Sequence, residues 1–378
     1  MIGSGVGTAP FVRWAHHLGD ESFLIGGALD ATVDFFGVTT ADPVSHVDGP
    51  RYVAKLDSNA GLLWMAQLGG PGDDAWLGAA ALADGSVAVL GRNQKPGDQL
   101  QIIPAAGGPP LSVTLPLACD ALADGSGGLL LAFGRFAAGD DIDPGTGVMA
   151  ASGSGAFVLE LSATTGVPRA IHLFAGASWG QAAGMRRDGG GVVVVAGPPP
   201  GQSGSAYLAG IDIVADAVLA DYQVGDTFID WALRGDGRAV LATVKTGDPG
   251  VCTIVDVDVR TGTTVASRES PGQLFAQGIA DRGGQTLLWS NRSGPTQIPE
   301  LGELLTSPGS VLPDWQWLLV ATLQPFDVVF TDPDGTIFFF GSLSLDAGET
   351  TSGRLWPPAS PFVASRTARH SYLARIGP

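Results

Sequence analysis

Acidic side chains gather in the connections of this chain: Asp73 and Asp74, Asp140, Asp141 and Asp143, Asp226, and Asp30 and Asp34. A hard cation such as calcium takes six to eight oxygens, and closely spaced aspartates ahead of a glycine turn can supply several of them. Residues 140–147 are the best candidate, with Asp140, Asp141 and Asp143 as the candidate ligands and calcium as the one ion they would suit, in a chain for which no cofactor is otherwise expected. The stretch lacks the complete Asp-x-Asp-x-Asp-Gly loop and its distal Glu, and its Asp-Pro-Gly is also ordinary turn chemistry. Trp76 and Trp179 stand near the start of a repeat, where an exposed ring could stack on a sugar or cap a ligand. Packing between neighbouring sheets is their plainer use, as it is for Trp64. With Asp73 and Asp74, the two tryptophans make up the candidate ligand-binding set.

Catalytic patterns are sparse. The histidines, His16, His17, His46, His172 and His370, are scattered, and adjacent His16 and His17 point to opposite faces of a strand. Zinc requires three or four convergent ligands. The chain contains no Gly-x-Ser-x-Gly elbow, phosphate loop or His-Glu-x-x-His. No catalytic residue is assigned.

The elements that must position these groups read as short strands. Residues 52–91, YVAKLDSNAGLLWMAQLGGPGDDAWLGAAALADGSVAVLG, hold four of them, at 52–57, 62–68, 76–83 and 86–91. Asp84-Gly85 forms the tight hairpin between the last two. Weaker copies recur, with hairpins at Asp20-Glu21, Asp84-Gly85, Asp124-Gly125, Asp188-Gly189, Asp236-Gly237, Arg282-Gly283 and Asp334-Gly335, spaced 40–64 residues apart. That spacing fits a four-stranded sheet repeated as the blade of a propeller. The expected fold is all-β: a seven-bladed β-propeller of four-stranded antiparallel blades, with residues 1–10 as a flexible tail and 11–378 as one domain.

Naming the strands of a blade first to fourth, the third strands fall at 52–57, 100–104, 157–162, 207–211, 253–259 and 372–376, with another at 301–305. The fourth strands fall at 62–68, 111–115, 169–174, 218–224, 264–270 and 315–322. How the ring closes has two answers. Residues 11–18 serve either as the first strand of the first blade or as the fourth strand of the last, so one blade is three-stranded or the N-terminus clasps it. Connections from second to third strand run long at 37–51, 134–156, 291–300 and 342–371, all on one face. Long loops on a rigid scaffold are where recognition concentrates.

Composition agrees with such a ring. The chain has 378 residues, with 56 Gly and 26 Pro to punctuate turns and 45% hydrophobic residues to fill a core. Its formal charge is −17, which repels phosphate backbones and makes nucleic acid and anionic membranes poor partners. Neither membrane insertion nor a disulfide between Cys119 and Cys252 is expected, and the chain reads as a monomer. MIGSGVGTAP has neither a basic n-region nor an apolar h-region, so the protein is cytoplasmic or its export signal lies outside this chain.

The unit resembles the bacterial SBBP-type β-propeller repeats. YVAKLD at 52–57, LLWMAQLGG at 62–70, GDD at 72–74, ALADG at 81–85 and SVAVLG at 86–91 carry the likeness. GDDIDPG at 139–145 ahead of FVLELSATTG at 157–166 is similar to the DFDPG segment of these repeats, as is ATVDF at 31–35. The resemblance implies a non-catalytic binding or structural module, exported or at the cell surface, that meets a protein or carbohydrate partner through its long-loop face. A weaker similarity joins LELSATTG (159–166) and DVDVRTG (256–262) to quinoprotein-like propellers. It keeps open the alternative of a hydrolase or quinoprotein-like oxidoreductase with its site at the central channel.

Overall fold

The computed structural model describes residues 3–5, 11–18, 22–28, 34–35, 38–39, 51–57, 61–68, 73–93, 99–143, 149–199, 205–246, 251–269, 276–282, 285–292, 298–305, 314–320, 326–331, 337–343, 352–353, 362–363 and 369–376. All regular elements among them are strands. A short strand, β1 (Gly3–Gly5), precedes the first sheet, which is built from β2 (Phe11–His17), β3 (Phe23–Ala28), β6 (Arg51–Leu56) and β7 (Leu62–Leu68). Between β3 and β6 lie β4 (Asp34–Phe35) and β5 (Val38–Thr39). The next sheet holds β8 (Asp73–Ala81), β9 (Val87–Asn93), β10 (Gln99–Ile103) and β11 (Leu111–Thr114). Then come β12 (Cys119–Ser126), β13 (Leu129–Phe136), β14 (Gly155–Ser162) and β15 (Pro168–Ala175).

The following sheet is β16 (Gly184–Arg187), β17 (Val193–Gly197), β18 (Ala206–Asp212) and β19 (Ala217–Val224). It is followed by β20 (Thr227–Leu233), β21 (Arg238–Val244), β22 (Cys252–Asp258) and β23 (Thr264–Glu269). Another comprises β24 (Ala276–Arg282), β25 (Gln285–Arg292), β26 (Ile298–Leu305) and β27 (Asp314–Val320). The last contains β28 (Phe326–Thr331) and β29 (Ile337–Leu343), and β30 (Ser352–Gly353) with β31 (Phe362–Val363) forms a small ribbon before its third strand, β32 (Arg369–Ile376). Every expected third and fourth strand appears within one to three residues of its predicted bounds.

The chain divides into two compact units, Met1–Trp76 with Leu287–Pro378, and Leu77–Thr286. In the first, β2 pairs with β3 from Phe11↔Ala28 to His17↔Phe23, so 11–18 is a first strand and not a closing one. The closing position beside β32 is taken by β1, through Gly3↔Ser371, Ser4↔His370 and Gly5↔Arg369. Part of the segment expected as a tail is therefore a strand. Ser4 also pairs with Asp34, which adds the β4–β5 hairpin to the same edge.

In the second unit each sheet is buried on both faces, which is why its middle strands are unbroken apolar runs. Leu130 and Ala132 of β13 face one core with Leu90 and Leu100, while Leu131 and Phe133 face the next with Val193 and Val195. Val194 and Ala196 of β17 then turn to a third core with Leu241 and Val255. Successive side chains on a strand alternate sides, so one sheet welds two cores. Burial fades along each sheet: β13, β14, β17 and β18 are almost wholly buried, whereas β19 and β23 alternate exposed and half-buried residues. The fourth strands are thus the outer edges. At the opposite edges, β12 packs on β16 and β20 on β24.

Turn chemistry follows the sequence with two shifts. Around Asp84-Gly85, the Leu82 amide donates to Ser86 O at 2.9 Å and Gly85 takes φ 80°, a turn ending in a left-handed glycine. Asp236-Gly237 repeats it, with Gly237 at φ 79°. At Asp124-Gly125 strand pairing runs on to Ser126↔Leu129, and Gly127 and Gly128 make the turn at φ 59° and 78°. Asp188 pairs with Val192, and Gly191, not Gly189, is left-handed at φ 92°. In both cases a glycine further on offers the positive φ, so the turn moves to it. No helix of the described residues is long and apolar enough to cross a membrane.

Candidate functional site

Bulges recur where first strand meets second. The register shifts between Val12 and Trp14, Cys119 and Ala121, Phe228 and Asp230, and Phe326 and Val328. A bulge leaves a residue out of the ladder and re-aims its neighbours. On β20 it precedes Asp230-Trp231. Trp231 is buried in the core between β16–β19 and β20–β23, and alternation sends Asp230 to the other side of the strand.

There Asp230 Oδ2 accepts the Ile279 amide of β24 at 3.0 Å. Burial pushes its carboxyl up to about 6, against the opposing pull of that hydrogen bond and of the Arg186 charge. Arg186, on β16, lays its guanidinium carbon 5.6 Å from the centre of the Trp231 ring. It is exposed, yet desolvation lowers its pKa, with Asp230 acting in the other direction. Of the neighbouring first strands, β16 sets Arg186 over Trp231 on one side of β20, and β24 gives its Ile279 amide to Asp230 on the other.

Other charges in this unit are spent on structure. Asp120, the bulged residue of β12, is buried and receives Arg135 Nε at 3.0 Å. Beside it the Tyr207 hydroxyl donates to Gly180 O at 3.2 Å, and burial, then Asp120, raise its pKa. Asp188 accepts the Gly190 and Val192 amides and Arg260 Nη2. Buried Arg234 reaches Asp256 at 2.9 Å, Thr286 Oγ1 at 2.6 Å and Asp281 at 3.4 Å. Asp57, Asp212 and Asp258 each fold a turn between third and fourth strands by accepting backbone amides.

Trp179 is 2% exposed, set against Phe133 and Phe174, and its indole N–H donates to Asp221 Oδ1 at 3.2 Å. It packs between sheets and offers no face to a sugar. Asp73, Asp74 and Trp76 lie on β8, and their side chains fall outside the described residues. Asp140 Oδ2 accepts the Ala137 amide at 2.7 Å, and Asp141 Oδ1 accepts those of Asp143 and Met149 at 3.1 and 2.9 Å. The last two bonds hold the Asp141 carboxyl below its ordinary pKa. These acids stitch the loop to itself, and residues 144–148 lie outside the described set. Among the described residues, no three His, Cys, Asp or Glu side chains converge as a metal site. Asp226 Oδ1 accepts the Thr246 amide at 3.1 Å. On the outer edge His172 Nδ1 stands 2.5 Å from Asp216 and Nε2 3.4 Å from Glu160. Cys119 and Cys252 are free and buried.

Asp230 and Arg186 carried a faint sequence signal: an acid inside the apolar run FID-WAL, and a cation after Met185 on a strand too short to show a pattern. Comparison with solved structures fixes the class of scaffold that holds them. The Dos1 propeller matches with a TM-score of 0.52 at 10% identity, covering 89% of this chain and 90% of that one. An acylaminoacyl peptidase from Pyrococcus horikoshii matches at 0.51 and 11% identity, covering 96% of this chain and 52% of that one. The fold is a β-propeller. Its blades are the four-stranded sheets, and the first strands carrying Arg186 and Asp230 are blade edges. No protein-family model matches the sequence, and no curated protein matches it.

Proposed function

We propose that the chain is a seven-bladed propeller ring acting as a non-catalytic binding module, exported or surface-held like the SBBP-type proteins its repeats resemble. Its ligand is met by the long connections from second to third strands. One observation carries this reading: between β13 and β14, residues 137–143 are tied to residues 149–154 by Gly139 N to Ala151 O, Ala151 N to Asp140 O and the Asp141 carboxylate, which accepts the Met149 amide. Turns at the other ends of the strands are minimal. A preformed loop on a rigid sheet lowers the ordering cost of binding. Glycan and peptide arrays test it, read with the wild type and with residues 138–150 replaced by a short glycine turn. Binding lost with the loop is the expected outcome, and binding indifferent to the loop overturns the assignment.

A second reading is favoured by Asp230, whose carboxyl at about 6 suits a general acid or base near neutral pH. A hydrolase or quinoprotein-like activity that disappears in Asp230→Asn on a substrate panel would replace the binding reading.

A further inference from the structure

We propose that Arg186 and the indole N–H of Trp231 form a binding site for the carboxylate of a small organic acid. The site lies on the first strands of two neighbouring blades and does not depend on the loop between β13 and β14.

The two donors meet where β16 faces β20. The Arg186 guanidinium carbon stands 5.6 Å from the centre of the Trp231 ring. Gly184, two residues earlier on β16 and so on the same side of the strand, faces the indole nitrogen. A Cβ added there would stand 3.0 Å from Nε1 and 3.6 Å from Cε2 and Cζ2. The glycine therefore seats the N–H edge against β16 with no side chain of its own over it.

Both donors lack an acceptor. Trp231 is 4% exposed, and among the described residues nothing accepts its N–H, whereas buried Trp179 gives its own to Asp221. Buried indole N–H groups are ordinarily satisfied, so an open one marks a place for an acceptor. Arg186 is exposed, and among the described residues no acid or carbonyl pairs with it, while Arg135, Arg234 and Arg260 each hold an aspartate. Lying over the indole orients its planar fork and leaves the N–H groups for a ligand.

Geometry and charge choose that ligand. The acceptor has to reach a guanidinium and an adjoining indole N–H, and the two oxygens of one carboxylate can do so. More negative charge is unwelcome. Asp230 adjoins Trp231 in the chain, turned to the Ile279 amide on the other side of β20, and the whole protein carries −17. A phosphate dianion meets that field at greater cost than a carboxylate, and a neutral amide forfeits the charge-assisted bond to Arg186.

Titration calorimetry near neutral pH with acetate, propionate and benzoate tests the site, with their amides and inorganic phosphate as controls. At least one acid binds, and its amide and phosphate bind at least about tenfold more weakly. Arg186→Gln lowers the affinity about tenfold or more, and Arg186→Lys recovers part of the loss. Trp231→Phe, which keeps a ring in the core, lowers it about threefold to tenfold. Arg169→Gln removes an exposed arginine from the outer strand β15 and leaves binding unchanged. Unfolding midpoints measured alongside show that the variants are folded. An amide or phosphate binding as tightly as the acid overturns the proposal, as does normal binding by folded Arg186→Gln or Trp231→Phe. A loss in Arg169→Gln equal to that in Arg186→Gln overturns it too, since net charge would then be the cause. So does the failure of all three acids to bind at millimolar concentration.

Discussion

Asp230 shows what a half-buried, desolvated acid costs where no cation closes on it. Its carboxyl sits at about 6 against an ordinary 3.8, so the folded protein holds that proton more tightly than the unfolded chain. The stability this contributes is complete below the unfolded value and is lost as pH rises through about 6. At neutral pH the ionised group is therefore a burden, and Asp230→Asn is expected to stabilise the protein by about 1–3 kcal/mol there and by almost nothing near pH 3. Urea unfolding across this pH range measures it; equal gain at both ends would show that ionisation is not the cause. Trp179 is a residue of the opposite kind. Packed against Phe133 and Phe174, it is expected to cost about 3–5 kcal/mol when replaced by Ala, whereas loss of a ligand with stability unchanged would return it to the binding set.

Among elements, the joint of β20, β22 and β24 depends on Arg234. Its side chain is 6% exposed and faces Asp256 and Asp281, themselves 14% and 13% exposed. Burial raises the Asp256 pKa even with Arg234 and Arg238 pulling it down. Removing the cation leaves two acids in a desolvated place, so Arg234→Met is expected to lose about 3–5 kcal/mol. Replacing Arg234 and both acids together by apolar residues is expected to recover most of it. Denaturant midpoints of the two variants decide the matter, and a harmless single substitution would show that the network is solvated. The turns shifted at 124–128 and 188–191 belong to this scale too. Hairpin existence was legible from Asp-Gly, but where several glycines follow, pairing across the strands selects which of them turns.

For the whole molecule, β1 is the piece that matters to closure. Gly3–Gly5 lies on the edge of β32 as the fourth strand of that blade. Without it β32 would present an open edge, and open edges are both weaker and prone to pair with other chains. Deleting residues 1–9 is expected to lower the melting temperature by several degrees and to favour association, read by calorimetry with light scattering. An unchanged melt would make β1 an ornament of the last blade and not its clasp.

The sequence by itself determined the strands, because alternation, apolar runs and turn residues are local properties of the backbone. It reached the repeat and the propeller as well, since a short sheet with two apolar faces has to be covered on both. Tertiary structure alone decided which acids were free to act. Asp140 and Asp141 read as candidate ligands from their spacing, and in the fold each accepts backbone amides within reach. Asp230 looks like any strand residue and becomes unusual because the packing around β20 desolvates its carboxyl by more than the Ile279 amide offsets. Charge and burial of that kind depend on which neighbours arrive from distant parts of the chain, and no spacing within one strand records them.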